Sequence, residues 1–201
     1  MEAIGASFLV LAYGLTNNAF AIGFVLSALI FGGMHVSGAH FNPAISFAYW
    51  MKGDISFSTF AGYSLSHLLG AFAASGVLLM LTNSVFYVEP PTTTYFTQQA
   101  SIEAIFTFLL AFAYIGLIPA EAIKASRINA IGIGITLSAA IIIGENISGA
   151  VYNPAISIGA AVVDFLAIHG ASFSYILLYT SGPLLGAAVA GLLSRYLILD
   201  D

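Results

Sequence analysis

Two asparagine–proline pairs are the residues of this sequence best placed to act on another molecule. Asn42-Pro43 lies in Ser37-Gly38-Ala39-His40-Phe41-Asn42-Pro43-Ala44-Ile45-Ser46, and Asn153-Pro154 in Ser148-Gly149-Ala150-Val151-Tyr152-Asn153-Pro154-Ala155-Ile156-Ser157. Eight of the ten positions are identical, at a constant offset of 111 residues. Self-similarity at a fixed offset marks a repeat rather than two unrelated turns. Asparagine is a good N-cap and proline suits the first helical position, so a helix starts at Pro43 and another at Pro154. Gly38 and Gly149 let the chain ahead of each start bend out of helical geometry. The apolar runs that follow, residues 44–49 and 155–163, are too short to cross a bilayer. Each motif therefore predicts a half-helix that enters a membrane and stops. Non-helical backbone at that depth is tolerated only inside protein or beside a water-filled cavity, which points to a pore. The chemistry is recognition, not bond making. The amides of Asn42 and Asn153 can donate to a passing water or hydroxyl oxygen. Two converging helix N-termini, each equivalent to about +0.5 charge, repel cations and let neutral molecules pass.

Other polar residues read as supports. Glu2 and Glu103 hold equivalent places, because Glu103-Ala104-Ile105 repeats Glu2-Ala3-Ile4. A carboxylate in a spanning segment is costly and is usually paired or functional, although Glu2 also fits a solvated terminal acid. The carbonyls of Gly38, Ala39, His40, Gly149, Ala150 and Val151 need partners, and a solute in the pore can supply one side. His40 suits a structural hydrogen bond better than a pore-lining role, since imidazole offers both donor and acceptor. His35 and His67 read as packed polar residues. No nucleophile–base pair and no metal-ligand cluster stands out among four histidines and no cysteine. No catalysis, metal or cofactor is expected.

The elements that must position these residues are membrane helices. Of 201 residues, 60% are hydrophobic and 6% charged, with mean hydropathy +1.00, against about 25% charged in soluble domains. The lipid bilayer is thus the main partner, and nothing basic enough for nucleic acid is present. The chain reads as one channel domain over residues 1–201, with halves 1–82 and 101–201 and a linker over 83–100. Met1-Glu2 leads into an apolar run without a basic n-region or cleavage signal, so the first helix stays in the membrane. Helices are expected over 2–15, 19–33, 56–81, 103–118, 128–143 and 173–197, with half-helices over 43–51 and 154–165. The first bend is placed at 33–41 and a polar loop at 121–127. The first two helices are short for a bilayer that needs about 20 residues, and the first is expected to be the least regular. Three spans per half is an odd number, so the halves insert with opposite topology. With both termini cytoplasmic, Lys52, Lys124, Arg127 and Arg195, all the Lys and Arg of the chain, fall inside, as the positive-inside rule requires.

The boxes Asn42-Pro43-Ala44 and Asn153-Pro154-Ala155, with the repeat around them, resemble the aquaporin (major intrinsic protein) family over nearly the whole chain. The resemblance implies an all-α, right-handed bundle of six transmembrane helices and two re-entrant half-helices. It implies a single file of water or small neutral solutes oriented by the two Asn, bend support from Glu2 and Glu103, and a homotetramer with one pore per subunit. It places the outer filter at Ile22, Ile141, Ala150 and Ile156. All four are apolar, where the family usually has an aromatic, a histidine and an arginine. Two isoleucines in place of the usual aromatic and histidine suggest a modestly wider opening. Glu145 and Asn146 near the outer mouth either supply displaced polarity or are solvated loop residues. The function expected is a passive channel for water and/or small uncharged solutes, glycerol-, urea- or ammonia-like, with weak discrimination between them. A secondary transporter would need an ion-coupling carboxylate at the midplane, and an occluded structural membrane protein would be closed by dewetting.

Overall fold

The computed structural model describes residues 1–118 and 128–197. All regular elements among them are helical: α1 Glu2–Leu15, α2 Ala19–Ser37, α3 Pro43–Lys52, α4 Phe57–Thr82, α5 Phe96–Leu117, α6 Asn129–Ser148, α7 Pro154–Ile168 and α8 Ile176–Leu197. A short 3₁₀ turn, Ser172–Tyr175, leads into α8. The helices α2, α4, α5, α6 and α8 with its leading turn are long and apolar enough to cross a bilayer. α1 has 14 residues, so at about 1.5 Å per residue it falls short of a hydrocarbon core of about 30 Å. It is nonetheless a regular helix without a break, contrary to the irregular wall expected.

The caps explain the boundaries. Asn18 Oδ1 accepts from Ala21 N at 3.0 Å and Ser56 Oγ from Thr59 N at 3.1 Å, starting α2 and α4. α2 runs four residues past the expected end at Gly33 and closes only at Gly38, whose φ of +84° turns the chain. α6 likewise passes 143 and closes at Gly149, also at φ +84°. In an apolar setting, unpaired backbone groups cost several kcal/mol, more than the roughly 1 kcal/mol penalty of a helical glycine. So the helix persists until the turn itself needs φ > 0. α5 starts seven residues before Glu103, because Gln98 and Gln99 cap it instead of belonging to the linker. Gln98 Oε1 accepts from Tyr95 N, and Gln99 Nε2 donates to the carbonyls of Pro91 and Thr94. α7 ends three residues later than expected, at Ile168. The loop expected over 121–127 lies outside the described residues.

The two halves interlock. α1 packs on α4 as α5 packs on α8, while α2 and α6 cross between the halves. Each short helix packs against the last long helix of the other half, α3 on α8 and α7 on α4. The central crossing is glycine on glycine. A Cβ on Gly134 would sit 2.2 Å from Gly23 O and 1.9 Å from Ser27 Oγ. A Cβ on Gly23 would sit 2.3 Å from Gly134 O and 2.0 Å from Ser138 Oγ. Small residues let membrane helices approach this closely. Gly134→Ala should therefore push α2 and α6 apart and cost about 1–3 kcal/mol. Gly62→Ala, where a Cβ would meet nothing within 4 Å, should be neutral or mildly stabilising. Thermal unfolding of both variants in detergent checks this, and equal midpoints would refute the crossing as a tight contact.

Candidate pore

Each bend is strained and held from the side. Ala39 and Phe41 in the first bend, and Ala150 and Tyr152 in the second, have φ between 53° and 56°. This left-handed region costs non-glycine residues roughly 1–2 kcal/mol each. Buried carboxylates offset that cost by taking the backbone donors. Glu103 Oε1 accepts from Val151 N at 3.0 Å and Ser148 Oγ at 2.7 Å, and Oε2 accepts from Tyr152 N at 2.7 Å. Glu2 accepts from His40 N at 3.1 Å, Phe41 N at 2.7 Å and the Ser37 hydroxyl. Glu2 is buried, so it is no loose terminal acid here. The hydroxyls of Tyr63 and Tyr179 donate to Ser37 O and Ser148 O respectively.

The symmetry breaks around the histidines. Glu2 also meets His67 Nε2, and His67 is fully buried. Tyr63 and Gly70 correspond to Tyr179 and Gly186 at an offset of 116, which puts Pro183 opposite His67. His40 Nδ1 pairs with Ser46 Oγ at 2.9 Å, and its ring stacks on Tyr49 at 4.4 Å. His35, read as packed, is instead exposed on α2. Glu145 and Asn146 are exposed in the last turn of α6, not in a loop.

The bends bring the two asparagines together. Asn42 Oδ1 caps α3 through Ala44 N at 2.8 Å, and Asn153 Oδ1 caps α7 through Ala155 N at 3.0 Å. Their amides cross over: Asn42 Nδ2 donates to Tyr152 O at 2.8 Å and Asn153 Nδ2 to Phe41 O at 3.1 Å. An amide nitrogen has two protons, so each keeps one for another acceptor. Pro43, Ala44, Pro154 and Ala155 form the buried first turns behind them.

Both asparagines border a central cavity of about 20 Å³, a little more than the 10–15 Å³ or so that one water needs. Its walls come in pairs from the two halves: Leu9 with Leu110, Leu26 with Leu137, and Ile45 with Ile156. His40 and Val151 face it as a matched but unlike pair. Of the four residues expected at an outer filter, Ile156 lines this cavity, while Ile22, Ile141 and Ala150 are buried outside its lining. Tyr13 and Tyr114 are among the lining residues that escaped the sequence reading, as are the paired leucines and Ile45. Tyr114 OH donates to Ala39 O at 3.2 Å. Tyr13 OH reaches Ala150 O at 3.3 Å and Val151 O at 3.4 Å. Three of the carbonyls expected to face a solute, those of Ala39, Ala150 and Val151, thus already have a protein donor. The signal was available, since the offset of 101 between Glu2 and Glu103 carries on to Leu9 and Leu110 and to Tyr13 and Tyr114.

Comparison with known proteins agrees with this geometry. The sequence profile described as Major intrinsic protein matches residues 3–194. The chain is 33% identical over 186 residues to a Probable aquaporin TIP-type alpha of Phaseolus vulgaris, covering 90% of this chain and 70% of that protein. It is 34% identical over 172 residues to Nodulin-26 of Glycine max, covering 84% of this chain and 60% of that one. The fold is similar to the X-ray structure of the aquaglyceroporin from Plasmodium falciparum, with TM-score 0.83 at 19% identity, covering 98% of this chain and 94% of that one. Paired caps, interlocked halves and family match together say that this chain belongs to the major intrinsic protein family, multi-pass membrane channels rather than enzymes.

Proposed function

We propose that this chain is a passive pore for water and small uncharged solutes of about the same width, such as ammonia, with urea and glycerol at the edge of its range. The observation that carries this reading is the meeting of two N-capped half-helices at one small cavity. Their N-termini oppose cations, and the spare amide protons of Asn42 and Asn153 orient a neutral oxygen. In the same reading both termini are cytoplasmic, Glu2 and Glu103 support the bends, and four copies assemble with one pore each. The outer filter of Ile22, Ile141, Ala150 and Ile156 is apolar and carries no fixed charge. The small cavity also suits a second reading, a pore occluded by its apolar wall.

Stopped-flow light scattering on proteoliposomes separates the two. Water flux well above that of empty liposomes supports the open pore, and flux equal to empty liposomes supports the occluded one. Ile156→Arg adds a positive charge and donors to a lining position, so any leak of protons or ammonium should fall by about tenfold. The largest solutes should be lost first. A pH-sensitive dye in the same vesicles reads this, and an unchanged leak with unchanged solute uptake would count against the apolar filter.

A further inference from the structure

Tyr13 and Tyr114 come from different halves, α1 and α5, and both reach across the molecule. Tyr114 donates to Ala39 O, 75 residues away in sequence, and Tyr13 to Ala150 O, 137 residues away. Both rings border the cavity that also holds Asn42 and Asn153. A phenol has one proton and two acceptor lone pairs. Once the proton is given to a bend carbonyl, only the lone pairs remain to face a solute.

We propose that this pair is the size filter of the pore, one tyrosine on each side of the asparagines. The inference rests on the channel reading above and deepens it. Each hydroxyl takes the place a solute would otherwise occupy on the bend carbonyl and offers its own acceptor instead. Each ring fills the lumen to about the width of one water. Size selection then lies next to the asparagines, at Tyr13 and Tyr114 in the cavity that Ile156 also lines, rather than at Ile22, Ile141 and Ala150. The two positions are not equal. Tyr114 is 1% exposed, whereas Tyr13 is only half-buried near the end of the short α1. Tyr114 should therefore be the stricter of the two.

The test compares water, urea and glycerol permeability of proteoliposomes holding the full chain. Wild type should pass water and admit glycerol only slowly. Tyr114→Ala removes the ring and should raise the glycerol-to-water ratio at least about tenfold, with Tyr13→Ser giving a smaller rise. Tyr114→Phe keeps the ring and frees the carbonyl, so passing water binds there longer. Its water flux should fall about two- to fivefold while glycerol flux stays as slow as in wild type. A merely structural tyrosine would change yield and thermal midpoint without moving the cut-off. Wild type that passes glycerol as readily as water overturns the inference even if Tyr114→Ala does not fold. So does a folded Tyr114→Ala or Tyr13→Ser that conducts water with an unchanged glycerol ratio. Wild type that passes neither water nor solute overturns the channel reading itself, and the inference with it.

Discussion

Glu103→Ala is expected to abolish the folded channel. The carboxylate of Glu103 is fully buried and takes three donors of the second half: Ser148 Oγ, Val151 N and Tyr152 N. Ser148 can rotate to another acceptor, but the two amides are fixed by the backbone. Each buried donor left without a partner costs about 1–3 kcal/mol. Two of them amount to about 2–6 kcal/mol, at a bend where Ala150 and Tyr152 are already strained at φ 53°. Marginal stability is about 5–15 kcal/mol, so the loss is a large fraction of the whole. Glu103→Gln separates shape from charge. Its amide oxygen can keep the Val151 and Ser148 donors, but its NH₂ then faces Tyr152 N, donor against donor. Gln should be intermediate in detergent-solubilised yield and thermal midpoint, and Ala should be lowest. Glu103→Ala with wild-type midpoint and wild-type water flux would show that the second bend holds itself.

The decapeptide repeat made the centre of the fold legible. Asparagine before proline fixes a helix start from local chemistry alone, and both α3 and α7 begin at the residue it dictates, Pro43 and Pro154. The repeat marked Glu2 and Glu103 as equivalent, costly carboxylates that need partners, while their place at the bends came only from the family resemblance; in the structure both accept backbone donors of the bends. Helix ends were less legible. Gly33 looked like a stop, yet α2 continues to Ser37 because apolar surroundings favour closing every backbone hydrogen bond. Gln98 and Gln99 looked like linker for the opposite reason: their side chains cap α5 and so leave the count of loop polarity.

What the sequence hid is contact between halves. A tyrosine inside an apolar helix reads as packing or as a lipid-interface anchor, and nothing local says that its hydroxyl meets a carbonyl on another helix. The 101-residue offset pairs Tyr13 with Tyr114 in the sequence, but their carbonyl partners appear only when the chain is closed on itself. His67 was read as packed and is buried, but its pairing with Glu2, within the first half, was hidden because the two are 65 residues apart and its counterpart by offset is Pro183. The first bend is thus held by a carboxylate with a histidine behind it, and the second by a carboxylate with a proline in the histidine's place.

Asn153→Asp is expected to turn a cation-excluding centre into a cation-permeable one. Two helix N-termini contribute about +0.5 charge each, and one carboxylate added between them cancels the sum. The new side chain can still cap α7, because an oxygen remains to accept from Ala155 N. The helix start therefore survives, as aspartate is an N-cap as good as asparagine. The crossing hydrogen bond does not survive. Asn153 Nδ2 donates to Phe41 O at 3.1 Å, and a carboxylate oxygen in that place meets the carbonyl acceptor to acceptor. The bend should open slightly toward a water or a cation that can sit between the two oxygens. Asn42→Asp repeats the argument across the pseudo-twofold axis, where Asn42 Nδ2 donates to Tyr152 O at 2.8 Å. Either variant should raise proton or alkali-cation leak about tenfold or more, and the double variant should raise it further as the central potential changes sign. Water flux should fall by less than the leak rises, since the lining of Leu26, Leu137, Ile45 and Ile156 is untouched. Vesicles loaded with a pH-sensitive dye and held under an imposed potential measure the leak, and stopped-flow measures water on the same preparation. If all three variants conduct water and remain as cation-tight as wild type, the half-helix N-termini do not set charge selectivity in this protein.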